Sequence, residues 1–298
     1  ESSHLFTSNI LLKLSEFAAA ASIDSQLSDH LQQCIGSAII SMGPEKILTL
    51  FPITLNEENL TCSNMWLVPI LRKYIRGASL HFFMEHIAPV MTSLTSKCKK
   101  VKRSKALKML RSYKKDLWNL LPSFCHHAKD TKKHFGLLAQ FLIVALKDDP
   151  STHESISAAL KVFVKENKSV IATNQDVKTA KKIVNNEAND KSAILNVLQP
   201  CYSQKVALKN IKAMALSSMD LIQATVDVFL NSPPEKRSSL KEAIECLSSI
   251  IGSSNVDKIV MSLSKNLEFV YKVSEFEDLT NHNHSANTTE LNGNSKTN

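Results

Sequence analysis

Glycine is scarce in this chain. Six residues in 298 are glycine, about 2% against a usual ~7%. The tight turns that close β-hairpins lean on glycine, so the shortage argues against a sheet-based fold and against glycine-rich phosphate cradles. Aromatic residues make up only 6%. No apolar run approaches the ~18 residues that suggest a membrane-spanning helix; the longest is Phe141 to Leu146. The stretch Leu5 to Ala21 is broken by Lys13 and Glu16 and reads as an amphipathic helix, not a signal segment. The six cysteines (Cys34, Cys62, Cys98, Cys125, Cys201, Cys246) form no C-x-x-C pair, which points to reduced thiols. There is no G-x-x-x-x-G-K-[ST], G-x-S-x-G, H-E-x-x-H or G-x-G-x-x-G. An enzyme is not expected, nor a cofactor, a small-molecule substrate or a membrane partner.

Acid is missing where base is richest. Residues 86 to 115 hold no Asp or Glu, and Lys97 to Lys115 carries ten Lys or Arg. Drawn as a helix at 100° per residue, Ser104 to Phe124 places Leu110, Tyr113, Leu117, Leu120, Leu121 and Phe124 on one arc. Lys105, Lys108, Arg111 and Lys115 fall almost opposite. Crowded like charges raise the free energy of the free protein, and a polyanion relieves them. The competing reading is an ordinary solvated face. The candidate nucleic-acid-binding residues are Lys97, Lys99, Lys100, Lys102, Arg103, Lys105, Lys108, Arg111 and Lys115. Lys99-Lys100-Val101-Lys102-Arg103 also has the form of a nuclear-localisation signal. The net charge is +8. The segment 273–298 contributes −3, so the rest carries +11, which favours nucleic acid or an acidic protein surface as partner.

Abundant Leu, Ser, Lys, Ala and Ile with dispersed prolines imply an all-α fold of many helices and short joints. Gly43-Pro44 ends one helix and starts the next. Ser151 to Glu154 and Ser232 to Glu235 have the form of capping boxes, with each Ser as cap. Around them lie helical hairpins, Asp130 to Lys147 with Ser151 to Glu166, and Pro233 to Ile251 with Val256 to Tyr271. Each unit is about 40 residues, the period of HEAT or armadillo pairs. Apolar residues before Pro52, Pro69, Pro89, Pro122 and Pro200 suggest kinked helices and hence an α-solenoid of antiparallel helix pairs. The expected organisation is HEAT-like repeats over 1–166, a polar connector or irregular repeat over 167–189, further repeats over 190–272, and a disordered acidic and polar tail over 273–298.

Asn64-Met65-Trp66-Leu67-Val68-Pro69-Ile70-Leu71-Arg72, Gly77 to Phe83 and Ile87-Ala88-Pro89 resemble the HEAT-repeat ribosomal RNA processing protein 12-like family. Asp116 to Cys125 and Phe135-Gly136-Leu137-Leu138-Ala139 continue the resemblance. Members are considerably longer, so the chain reads as one section of a solenoid. The resemblance implies a nuclear and nucleolar ribosome-assembly factor, active in pre-ribosomal RNA processing and in export of subunit precursors, shuttling to the cytoplasm. Its partners would be pre-ribosomal RNA, pre-ribosomal particle proteins and nuclear transport factors. The matched residues Trp66, Leu67, Phe82, Phe83, Trp118, Leu121 and Phe124 read as core. The RNA role of the basic stretch comes from electrostatics and not from the resemblance.

Two alternatives stand beside a scaffold that binds structured RNA. One is a protein-only adaptor, similar to transport receptors, that holds a partner helix or an acidic surface. The other is a metal-dependent hydrolase built on His126, Asp130 and His134, whose i, i+4, i+8 spacing aligns three side chains with Cys125 adjacent, although Lys129, Lys132 and Lys133 surround them and no second shell is evident.

Overall fold

Leucine-rich segments with apolar residues three and four apart can bury one face only by packing on a neighbouring helix. The computed structural model describes residues 2–19, 25–102, 105–180, 202–252, 255–261 and 264. It is all-α apart from one small hairpin. In order come α1 (Ser2–Ala19), α2 (Ser25–Met42), α3 (Pro44–Leu50), the two-residue antiparallel strands β1 (Leu55–Asn56) and β2 (Thr61–Cys62), and α4 (Val68–Tyr74). The short α5 (Leu80–Phe82) passes through a π turn (Phe83–Ile87) into α6 (Ala88–Lys100). Then follow α7 (Lys105–Cys125), α8 (Thr131–Asp148), α9 (His153–Ala180), α10 (Gln204–Asn231) and α11 (Arg237–Ser248).

The chain divides into a unit of residues 1–250 and a second unit of residues 251–298, in which 255–261 are helical. Within the first unit the helices form two layers. α7 packs on α9 and α9 on α11, while α8 packs on α10. Successive repeats therefore touch more extensively than the two helices of the α8–α9 hairpin do, as a solenoid requires. The core runs through Leu71, Phe83, Leu94, Leu121, Phe124, Phe135, Leu142, Phe163 and Leu221, all nearly inaccessible. α10 is long and apolar enough to cross a membrane by length and composition, yet Met214, Leu221, Ile222 and Val226 are buried against its neighbours. Trp66 and Phe82 are only half-buried; Trp66 sits edge-on to Phe51 and Phe82 stacks on His86.

Glycine matters at two places. Gly43 has φ +87°, a backbone that side-chain-bearing residues rarely adopt, and it turns α2 into α3 as expected. At Gly36 an added Cβ would lie 2.5 Å from the Tyr74 ring, so its bare backbone is what lets α4 approach α2.

Three carboxylates stitch the loop ends of successive repeats. Glu45 accepts from the Ser79 amide (2.8 Å) and from Lys129 (2.7 Å). Asp130 accepts from Ser79 Oγ (2.7 Å), the Leu80 amide (2.7 Å) and the His81 amide (3.1 Å). Glu166 accepts from the His127 amide (2.8 Å) and pairs with His126. Each satisfies amides that a helix start or a loop leaves open.

Several sequence expectations need correction. No boundary falls at Asn167: α9 continues to Ala180, and Asn167 is buried, accepting from Asn210 of α10 (3.1 Å). The remainder of the 167–189 connector, the end of the Val256 to Tyr271 helix and the 273–298 tail lie outside the described residues. Ser151 is not the cap before α9. Asp149 is, accepting from the Ser151 amide (3.0 Å) and hydroxyl (2.7 Å). Ser232 turns back on its own helix, donating to the Val228 carbonyl. Pro44 occupies the first turn of α3 as expected. Of the five prolines expected to kink helices, Pro69 starts α4, Pro52 lies in a loop and Pro200 lies outside the described residues. Pro89 follows the π turn within the continuous run from α5 to α6, and Pro122 lies inside α7.

Candidate nucleic-acid interface

α7 carries its apolar arc as the periodicity predicts, with Leu107, Leu110, Leu117, Trp118, Leu120, Leu121 and Phe124 buried and Tyr113 half-buried. Lys105, Lys108, Arg111 and Lys115 are all exposed on the other side. α6 delivers Lys97, Lys99 and Lys100 in its last turn, where cations suit the carbonyl end of the helix dipole. Val101 leaves the helix in an extended conformation and Lys102 follows, exposed. Arg103 lies outside the described residues. α7 then opens with Lys105 and Lys108 and no acid in its first turn, so cations crowd the positive end of its dipole and an anion is favoured there.

The ridge is not free of the chain's own acids, as the acid-free segment had suggested. Lys97 pairs with Glu57 (2.8 Å) and Lys99 with Asp148 (3.9 Å). Lys114 pairs with Asp149 (2.6 Å), and that pair is the desolvated one, its side chains 12% and 13% exposed. Glu57 and Asp148 remain largely exposed, so water and salt screen them heavily. Lys97's hydrogen bond and charge, with Lys100 adding to the field, hold the Glu57 carboxyl below its ordinary value. Burial works to raise Asp149, but hydrogen bonds from Lys114 and Ser151 overcome it and leave that carboxyl lowered. Burial pushes the Cys98 thiol up despite the opposing fields of Lys114 and Arg111. Among the described residues, Lys100, Lys102, Lys105, Lys108, Arg111 and Lys115 have no carboxylate within ion-pair distance. They are what remains of the ridge as an unneutralised surface.

Sequence reasoning missed Lys114 as the internally committed member of the run. Four residues after Leu110, it flanks the apolar arc, and that offset was readable. It also missed Lys236 at the start of α11, which lines a cleft with Arg111 and Lys115. No sequence pattern joins positions 120 residues apart.

The aligned Cys125, His126, Asp130 and His134 part ways. His126 turns to Glu166, His134 bonds Asp130 (3.0 Å) and stacks on His81, and Cys125 is buried, donating to the Leu121 carbonyl. Asp130 spends its oxygens on Ser79, Leu80 and His81. The arrangement is a structural junction. Among the described residues, Cys34, Cys62, Cys98, Cys125 and Cys246 are free thiols.

The sequence model of the family described as ribosomal RNA-processing protein 12, HEAT repeats, matches residues 1–232. The chain belongs to this family. It is 28% identical over 246 residues to ribosomal RNA-processing protein 12 of Saccharomyces cerevisiae, covering 80% of this chain and 19% of that protein. It is 31% identical over 152 residues to the RRP12-like protein of Gallus gallus and 30% over 152 residues to that of Homo sapiens, each covering 47% of this chain and 12% of the relative. The chain thus spans less than a fifth of the length of these relatives. The family match contains the whole cationic ridge and stops short of Lys236 and α11.

Proposed function

We propose that the chain is a non-catalytic HEAT-repeat section of a ribosome-assembly factor, working in the nucleus and nucleolus, that docks on pre-ribosomal RNA through the α6–α7 ridge. The relatives' names carry the process, ribosomal RNA processing. The observation that carries the contact is the set of exposed cations, Lys100, Lys102, Lys105, Lys108, Arg111 and Lys115, which form no ion pair among the described residues. Only one aromatic, Tyr113, lies within the run and it is half-buried, so base stacking contributes little and phosphate contact dominates. The ridge would read backbone and shape, with little preference for sequence. Engaging about five phosphates gives a slope of log K against log salt near −4.

The test is binding of a structured RNA hairpin to the full chain across a salt series. Replacing Lys102, Arg103, Lys105 and Lys108 by Glu should abolish binding while the helical signal and melting midpoint stay put. A second reading, an adaptor for a partner helix, is favoured by a groove of about 290 Å³ beside the ridge, where Met91, Trp118, Phe141 and the exposed Val144 form an apolar floor. If the fourfold reversal leaves capture of pre-ribosomal proteins intact and Val144→Asp abolishes it, the adaptor reading replaces the RNA reading.

A further inference from the structure

The cationic surface does not end at α7. Arg111 and Lys115, one helical turn apart, line a cleft of about 560 Å³ whose other wall comes from the α8–α9 turn and from the start of α11. Lys236, the last residue of a 3-10 turn that leads into α11, stands in that wall and is exposed. Two hydroxyls, Ser151 and Ser239, share the lining.

Two carboxylates also face the cleft and have to be weighed against the cations. Asp149 is already spent: it binds Lys114 at 2.6 Å and accepts both the amide and the hydroxyl of Ser151. Lys114 and Asp149 therefore cancel. Glu154, in the first turn of α9, is exposed and forms no ion pair among the described residues. Three cations against one carboxylate remain, in a concave place where low-dielectric walls concentrate the field. Arg and Lys from different elements are the chemistry that holds a phosphate group; Ser239 adds a hydroxyl, whereas the Ser151 hydroxyl is committed to Asp149.

We infer that this cleft seats a phosphodiester of the same RNA that lies along the ridge, with Arg111, Lys115 and Lys236 as its cationic ligands. The inference rests on the ridge reading and extends it in a definite direction. Lys236 comes from beyond the segment matched by the family and leads into α11, the fourth helix after α7. An RNA that enters the cleft therefore bridges the α7 face and the α11 start, which a surface confined to residues 97–115 would not require. Glu154 then acts as a built-in opponent at the cleft, weakening the hold on phosphate and making it easy to release.

The experiment uses the full chain and a structured RNA hairpin, with anisotropy read across a salt series. Lys236→Ala should weaken binding about five- to tenfold and reduce the salt slope by about one. Glu154→Gln should act oppositely and tighten binding about two- to threefold. The pair guards against a folding artefact, since a damaged protein does not bind more tightly. If both variants bind as the parent does while the Lys105→Glu, Lys108→Glu double variant loses binding, the cleft inference is overturned and the ridge reading survives. If none of the three changes binding, both fall. If a polyglutamate peptide binds with the Lys236 dependence and RNA binds without it, the occupant is an acidic protein and the inference is overturned.

Discussion

Asp130 shows how much one side chain can hold. It precedes α8 but does not cap that helix with its side chain; it reaches across to accept two amides and a hydroxyl from the start of α5, and it bonds His134. Asp130→Ala leaves the Leu80 and His81 amides without their acceptor, and the loss should be about 2–3 kcal/mol, measured by urea unfolding. The same contacts set a pH dependence. Burial favours the neutral carboxyl, but the hydrogen bonds from Ser79, Leu80 and His81 and the nearby His134 prevail, so the folded pKa lies below the ordinary 3.8. A depressed folded pKa gives stability that is full above the unfolded value and is lost as pH falls through the folded one. Asp149, lowered by Lys114 and Ser151, adds in the same direction. The parent's urea midpoint should therefore fall as pH drops below about 4, with a shallower fall in Asp130→Ala; equal slopes in the two proteins would refute the assignment.

At the scale of elements, α9 and α10 are joined by a polar contact inside the core. Asn210 donates to Asn167 Oδ1 at 3.1 Å, and Asn167 donates to the Phe163 carbonyl at 2.8 Å, both side chains being buried. Asn167→Ala strands the Asn210 amide and should cost about 1–3 kcal/mol, whereas Asn167→Leu with Asn210→Leu should come close to the parent, because replacing both partners removes the unpaired group. A double-mutant cycle on thermal or urea unfolding measures the coupling. This contact also explains where the sequence misled. Asn167 opens a polar stretch, and polarity along a chain does not separate a hydrogen-bonded buried amide from a solvated one, so a connector was expected where a helix continues. α7 was legible for the converse reason. Leu110, Leu117, Leu120, Leu121 and Phe124 repeat on a single arc, and burial of that arc leaves one orientation for Lys105, Lys108, Arg111 and Lys115. The cap at Asp149 was readable from an acid preceding Pro150 but was eclipsed by the capping-box pattern starting at Ser151. Glu57, Asp148 and Asp149 reach the ridge from 35 to 50 residues away, and nothing local announces that.

At the scale of the molecule, the surplus of positive charge is distributed by the fold in a graded way. Lys114 is withdrawn into a desolvated pair, Lys97 and Lys99 are held loosely by exposed acids, and six further cations of the ridge form no ion pair among the described residues. The loose pairs set how strongly the surface attracts an anion before contact, since Glu57 and Asp148 must be displaced or screened when RNA arrives. Exposed pairs of this sort contribute little to folding, so removing their acids should leave stability almost unchanged while raising the surface potential. Glu57→Gln with Asp148→Asn is therefore expected to tighten RNA binding by about three- to tenfold at low salt and to steepen the salt dependence, because Lys97 and Lys99 become free to engage phosphate. The gain should shrink as salt rises toward 0.5 M, where the Debye length drops to about 4 Å. Stopped-flow mixing separates the two ways the acids could act: loss of their repulsion of incoming RNA raises the association rate, while loss of their competition for the lysines lowers the dissociation rate. Because Lys97 at 2.8 Å from Glu57 must break a formed hydrogen bond whereas Lys99 at 3.9 Å from Asp148 does not, Glu57→Gln alone should slow dissociation and Asp148→Asn alone should mainly speed association. Unchanged affinity in the double variant would mean that RNA does not approach this face of the repeats.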